Sequence, residues 1–435
     1  MSSWDTADLA AADKKYLWHP FTPMAEWCAP GNEPIVLVGG EGALLWDSRG
    51  REYIDGNSSI WTNIHGHNHP YINAAIKRQL ERVAHTSFLG FTNPAAIELA
   101  RALVRLFPAG TLSRVFYSDD GSTGVEVALR IVAQYWHIRS QNRRTFIAFR
   151  HGYHGDTVGA ASLGAAAMFG TTLMHGVPVR QVESLPALQD LPSSQANQTA
   201  AVVIEPMVQG AAGMRLWPQD TLAGVRRWCD KSGALLIADE VMTGFGRTGR
   251  MFASEHDKVY PDLMILGKAL TGGYLPLAIT LVTEQIFSVF LGDVEDERTL
   301  FYGHSFTGNA LACSAARASL DLFEQEQTLS NLGAKISLLS EGLGRLQQNP
   351  SIRETRQCGF IAGIELRAEA FTGRLRESKR LGAEVCLAAR GRGLLTRPIG
   401  NTIVLMPPFC TTDVQLNHAL GAIRDSIEEV RHAAA

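Results

Sequence analysis

Between about Asn68 and Leu320 the apolar residues fall into short unbroken runs, separated by longer stretches of helical period. "SRVFYS", "RTFIAFR", "AAVVIEP", "ALLIADEV" and "DLMILG" are continuous rather than alternating, the pattern of strands buried on both faces. "HPYINAAIKRQLERVA", opened by Pro70, and "STGVEVALRIVAQYWHIRS" space their apolar residues as amphipathic helices do. Strand and helix in alternation predict an α/β fold, a mainly parallel sheet covered by helices.

Upstream, "PIVLVGGEGALLWDSRGREYID" reads as short antiparallel strands joined by Gly and Asp-Ser-Arg-Gly turns. From about Ser330 the chain alternates again: helix "NLGAKISLLSEGLGRLQQ", strand "GFIAGIELR", helix "SKRLGAEVCLAARGRG", a short "LLTRP", strand "NTIVLMPP" and a last helix. The expected organisation is a large domain over 68–320 and a smaller α+β domain over 321–435. An N-terminal segment, 1–67, joins the small domain.

Bulk properties narrow the class. A net charge of -3 with no basic stripe or acidic tail gives no support to nucleic-acid binding. The polar N-terminus lacks the apolar core of a signal peptide, and no run is long enough to span a membrane. The six cysteines form no Cys-x-x-Cys pair and read as reduced thiols of a cytoplasmic protein.

In an open α/β sheet, ligands collect at the carboxyl ends of the strands. There stand Gly121-Ser122, then His151, Tyr153, His154 and Asp156, then Glu205, Asp239-Glu240 and Lys268. Gly121 and Ser122 offer backbone N–H groups at a helix N-terminus, which suits a phosphate, although a serine there also serves as an N-cap. Asp239 follows an apolar strand and needs a cationic partner, an arginine being the plain structural option. Tyr153 suits either core packing or stacking on a flat ligand. His65, His67 and His69 alternate, but no cysteine or carboxylate completes a metal site.

Lys268 is one of eight lysines and stands at the mouth of a buried strand. A lysine in a dry pocket has a lowered pKa and acts as a nucleophilic amine toward an aldehyde, above all that of pyridoxal phosphate. That cofactor needs a phosphate cradle, a stacking ring, a carboxylate at its ring nitrogen and a lysine. Gly121-Ser122, Tyr153, Asp239 and Lys268 supply one of each.

"LLIADEVMTGFGRTGRMFASEH" followed by "LGKALTGGYLPLA" resembles the signature of class III pyridoxal-phosphate aminotransferases, as do "FYGHSFTGNALACSAA" and "EPMVQGAAG". Within that class, "WHPFTPM", "DGNSSIWTNIHGHNHP", "FRHGYHGDTVGA" and "LLTRPIGNTIVLMPP" resemble the 7,8-diaminopelargonate synthases of biotin biosynthesis. The resemblance implies a fold type I homodimer with shared active sites, converting 8-amino-7-oxononanoate to 7,8-diaminononanoate. A broader ω-amino-acid or diamine transaminase has the same catalytic core.

By position, the resemblance gives Lys268 as the lysine that bonds the cofactor, Asp239 at the pyridinium nitrogen, Tyr153 on the ring and Gly121-Ser122 at the phosphate. Ser305 falls where the family has a threonine that reaches the partner subunit's phosphate. Arg397 fits the substrate carboxylate and Trp61 an aromatic wall. Asp156, Glu205 and Arg247 fit supporting positions. Phe21 and Ile60 replace the tyrosine and first tryptophan common in members that use S-adenosylmethionine. S-adenosylmethionine is the family's usual donor, and relatives with these replacements resemble a branch that uses lysine.

Overall fold

The computed structural model describes residues 4–164, 176–372 and 380–433. Its centre is a seven-stranded sheet, in spatial order Leu112–Ser118, Ala278–Thr283, Leu263–Leu266, Leu235–Asp239, Thr199–Ile204, Thr145–Phe149 and Val179–Val182. All five expected strands are present. Ala278–Thr283 and the edge strand Val179–Val182 are additions. Ala278–Thr283 pairs antiparallel with both neighbours, so the sheet is parallel except for this strand. Its sequence, "AITLVT", is as apolar as its neighbours because it too is buried on both faces. Burial, not direction, sets that pattern.

Helices cover the sheet. Gly121–Ile138 and Pro70–Leu80 form where helical spacing predicted them. Pro70 occupies the first turn of its helix, where a missing N–H costs nothing, with His69 as N-cap. One continuous apolar core runs from the helix Pro94–Val104 under the sheet into the C-terminal elements around Phe360, Ile403 and Leu416.

The C-terminal residues build a second sheet, in the order Ile352–Cys358, Ile361–Leu366, Thr402–Leu405 and Pro398–Ile399. Among the described residues the expected helix after it spans Leu381–Arg390; its first expected residues, Ser378 and Lys379, lie outside them. The N-terminal strands Leu37–Glu41, Leu44–Asp47 and Glu52–Asp55 form an antiparallel sheet. Leu394–Leu395 adds to Glu52–Asp55 in parallel, tying the two ends of the chain together.

Four of the six cysteines are buried, and Cys28 and Cys410 are exposed. Among the described residues no helix is long and apolar enough to cross a membrane.

Candidate active site

The parallel strands end together, and Gly121, Tyr153, Glu205, Asp239 and Lys268 each follow one of them. Register sets the central pair. Asp239 lies opposite Ile265 in the neighbouring strand, so Lys268 leaves the sheet at the same edge. The two side chains line one cavity of about 810 Å³, together with Gly121, Ser122, Tyr153, Glu205, Phe21, Ile60, Trp61 and Arg397.

Lys268 opens a single 3₁₀ turn, Lys268–Thr271, directly after the strand. Its φ is 42°, a left-handed value uncommon outside glycine and typical of functional sites. The Gly-rich turn that follows is a close-approach device. A Cβ on Gly273 would stand 2.9 Å from the backbone of Asn63. Lys268 Nζ lies 5.1 Å from the centre of the Trp61 ring. Burial lowers its pKa, and the charges of Asp239 and Glu205 oppose that only in part. A larger share of neutral amine is therefore available near neutral pH.

Asp239 is buried, and its cationic partner is a histidine rather than an arginine. Its Oδ2 lies 2.7 Å from His154 Nδ1, and its Oδ1 accepts the Val241 amide at 3.2 Å. Burial pulls the His154 pKa down. The hydrogen bond and charge of Asp239, joined by the charge of Glu205, outweigh it and leave the value raised. His154 stood among the strand-end residues with no role assigned. Its place beside Tyr153, one residue from the stacking position, is the signal that marks it.

Glu205 accepts the amides of Tyr153 (3.1 Å) and Gly210 (3.0 Å), so it shapes the loops around the cavity. Burial pushes its pKa up to about 7, with His154 opposing and Asp239 adding to the rise. Tyr153 is half-buried, and its hydroxyl donates to Asp156 at 2.8 Å. Asp156 fixes that ring from outside the cavity.

The helix Gly121–Ile138 is capped by Asp120, whose carboxylate accepts the Thr123 amide at 2.9 Å. The serine-cap reading is thereby corrected. Ser122 sits inside the first turn, and its hydroxyl accepts the Asp156 amide at 3.2 Å. The amides of Gly121 and Ser122 belong to that first turn and have no intrahelical carbonyl to bond. Glycine is required here, since a Cβ on Gly121 would meet Val241 at 2.8 Å. The result is an anion cradle at the end of a long helix dipole.

Trp61 and Ile60 come from a short turn, Ser58–Trp61, whose four residues all have positive φ. Left-handed geometry costs roughly 1–2 kcal/mol per L-residue, so the surroundings must impose it. Phe21 approaches from the N-terminal segment. Arg397 is exposed to the cavity, and among the described residues no carboxylate pairs with it.

Besides Asp156, two expected site residues do not line this cavity. Arg247 is fully buried and does not line the cavity. It donates to Pro407 O (2.7 Å) and Asn63 O (3.0 Å) and stacks over Phe409, which makes it a tie between chain segments. Ser305 is exposed on a turn away from the cavity. The three alternating histidines take different polar partners, His65 meeting Ser319, His67 meeting Asp55 and His69 meeting Glu326, while the His65 and His69 rings meet edge to face at 6.2 Å. Among the described residues no cluster suits a metal ion.

Residues 28–427 match the family described as Aminotransferase class-III. The chain belongs to the class III aminotransferases. It is 45% identical to the adenosylmethionine-8-amino-7-oxononanoate aminotransferase of Nitratidesulfovibrio vulgaris, over 97% of this chain and 82% of that one. The crystal structure of the enzyme of that name from Methanocaldococcus jannaschii matches with a TM-score of 0.91 at 36% identity, covering 98% of this chain and all of that one, 100%. An (S)-enantioselective omega-transaminase from Thermomicrobium roseum matches with a TM-score of 0.91 at 28% identity, covering 99% and 100%. This class III aminotransferase has the fold type I architecture of its structural neighbours, and the cofactor of the class is pyridoxal phosphate. The donor set of the cavity fits that cofactor: an anion cradle, a phenol ring, a histidine-backed carboxylate and a lysine of lowered pKa.

Proposed function

We propose that this aminotransferase converts 8-amino-7-oxononanoate to 7,8-diaminononanoate in biotin biosynthesis. One observation carries the substrate reading: a lysine amine, an Arg397 that no carboxylate pairs with among the described residues, and the apolar surfaces of Trp61 and Ile60 share one cavity. That combination suits a keto acid with a long methylene chain between its reacting carbon and its carboxylate. Relatives that bear this substrate in their names support it.

Pyridoxal phosphate, when bound, supplies an electron sink that makes a proton on the amino-bearing carbon removable. The residues of the chain do the rest. The Gly121 and Ser122 amides would hold the phosphate. Tyr153 packs on the ring. Asp239, its position fixed by His154, keeps the proton on the ring nitrogen. Lys268 Nζ would hold the cofactor through its aldehyde, and the same amine, its pKa lowered by burial, would move the proton at the amino-bearing carbon. Arg397 clamps the carboxylate of the keto acid with paired N–H donors, a fork that lysine lacks. Glu205 and Asp156 hold the loops that carry His154 and Tyr153.

The amino donor in this reading is S-adenosylmethionine, named in those relatives. A second donor, lysine, rests on the resemblance of Phe21 and Ile60 to a lysine-using branch, and both side chains line the cavity. The active assembly in this reading is a cytoplasmic homodimer in which Ser305 serves the partner subunit's phosphate. Exposed Phe91, Phe301 and Phe306 support a further surface for that contact.

The test is a pair of half-reactions. The cofactor-loaded enzyme is mixed separately with S-adenosylmethionine and with lysine, then with 8-amino-7-oxononanoate. Loss of the bound-cofactor absorbance with one donor and its return with the keto acid support the reading. Amination of short ω-keto acids in preference to 8-amino-7-oxononanoate favours a broader transaminase instead.

A further inference from the structure

Ser58, Ser59, Ile60 and Trp61 hold φ of 46°, 48°, 67° and 67°. Non-glycine residues enter this region singly, so a run of four persists only where the surroundings over-determine it. The surrounding contacts converge on one carboxylate. Asp55 Oδ1 accepts the amides of Asn57 (3.3 Å) and Ser59 (3.1 Å), and its Oδ2 accepts the Ser59 hydroxyl (3.0 Å). His67 Nε2 lies 2.9 Å from that same Oδ2. Asp55 is buried at the end of the strand Glu52–Asp55, and it does not line the cavity.

The turn is also fastened to the C-terminal sheet. The Ser58 hydroxyl donates to Met406 O at 2.7 Å, and the Met406 amide donates to Gly56 O at 2.8 Å. Trp61 Nε1 donates to Asn57 Oδ1 at 2.9 Å, which fixes the indole. The strand leading to Met406 pairs back on the segment that carries Arg397, through the Val404 amide and Arg397 O at 3.2 Å. One set of hydrogen bonds thus joins the apolar wall of the cavity to the backbone of Arg397.

We propose that Asp55, with His67, is a positioning residue: it holds the left-handed turn so that Trp61 and Ile60 face the methylene chain of an acid whose carboxylate meets Arg397. This rests on the amino-transfer reading and deepens it, because it makes the selectivity for long-chain keto acids a property of the turn. Loss of the brace leaves the backbone that carries Lys268, Asp239 and the phosphate cradle in place and loosens the wall, including the Trp61 ring beside Lys268.

The test compares cofactor-loaded wild type with Asp55→Asn, Asp55→Ala and Ser59→Ala. Ser59 is exposed, so its variant folds even where Asp55→Ala fails. Hydrogen–deuterium exchange of residues 56–62 and the kinetics with 8-amino-7-oxononanoate are the two readouts. In Asp55→Ala, exchange accelerates and KM for the long-chain substrate rises about tenfold, the size of one hydrogen bond to a charged group. Its kcat and its bound-cofactor absorbance stay near wild type. Asp55→Asn, which keeps one acceptor oxygen, falls between, and Ser59→Ala moves in the same direction by less. Unchanged exchange in all variants overturns the brace, and faster exchange with unchanged KM overturns its part in selectivity. If wild type rejects 8-amino-7-oxononanoate, the amino-transfer reading fails separately, while the exchange data still uphold or overturn the brace.

Discussion

His154 Nδ1 stands 2.7 Å from Asp239 Oδ2, and both side chains are buried where Glu205 adds a second carboxylate. A carboxylate at a buried strand end is stable as an anion only if a cation faces it. His154 is that cation, and it orients Asp239 toward the cavity. In His154→Ala, kcat falls roughly 10- to 100-fold, the loss expected for one buried hydrogen bond to a charge. Steady-state kinetics check this. Asp239→Asn falls further, by roughly 10²–10⁴-fold, since the group nearest the cofactor is itself changed.

Arg397→Ala raises KM for the keto acid, about 10- to 100-fold, and leaves the donor's bound-cofactor absorbance change intact. Arg397→Lys recovers only part of the loss, because an ammonium cannot make the paired fork. An unchanged KM in the alanine variant would remove the clamp.

Gly121→Ala places a methyl group against Val241 at 2.8 Å and crowds the phosphate cradle. Cofactor affinity, measured by titrating the cofactor-free enzyme, weakens by about tenfold, while the helix itself tolerates alanine.

Glu205 gives a pH signature. Its folded-state pKa is raised to about 7 from 4.5, so its contribution to stability is complete below pH 4.5 and is lost as pH rises through 7. His154, raised above 6.5, acts with the same sign, losing its contribution as pH climbs past its folded value. Burial lowers the pKa of His65 to about 3 and also lowers that of His256, so these add stability as pH rises toward 6.5, and the fall due to Glu205 is read as the difference in melting temperature between the cofactor-free wild type and Glu205→Gln. In Glu205→Gln the part of that fall between pH 4.5 and 7 is absent.

Much of this arrangement was legible in the chain. Continuous apolar runs marked five strands, and the residues after them marked the cavity, because parallel strands bring their carboxyl ends to one edge. Direction was not legible: Ala278–Thr283 runs against its neighbours yet is as apolar as they are. Pairings across the chain were equally hidden. Nothing in "RGREYIDGNSSIW" announces a left-handed turn, since Ser, Ile and Trp are ordinary helix or strand residues and only distant partners impose the geometry. Arg247 was expected as a supporting residue, but the backbone carbonyls it bonds were not legible, because they belong to segments distant in sequence.

Lys268 is the residue on which the chemistry depends, and its role is measured by covalent trapping. The cofactor-loaded enzyme is reduced with borohydride, digested and mapped by mass spectrometry. The account predicts the reduced cofactor on the peptide containing Lys268, with Lys268→Ala folded and inactive. A label on any other lysine, or turnover in Lys268→Ala at an appreciable fraction of the wild-type rate, would contradict it.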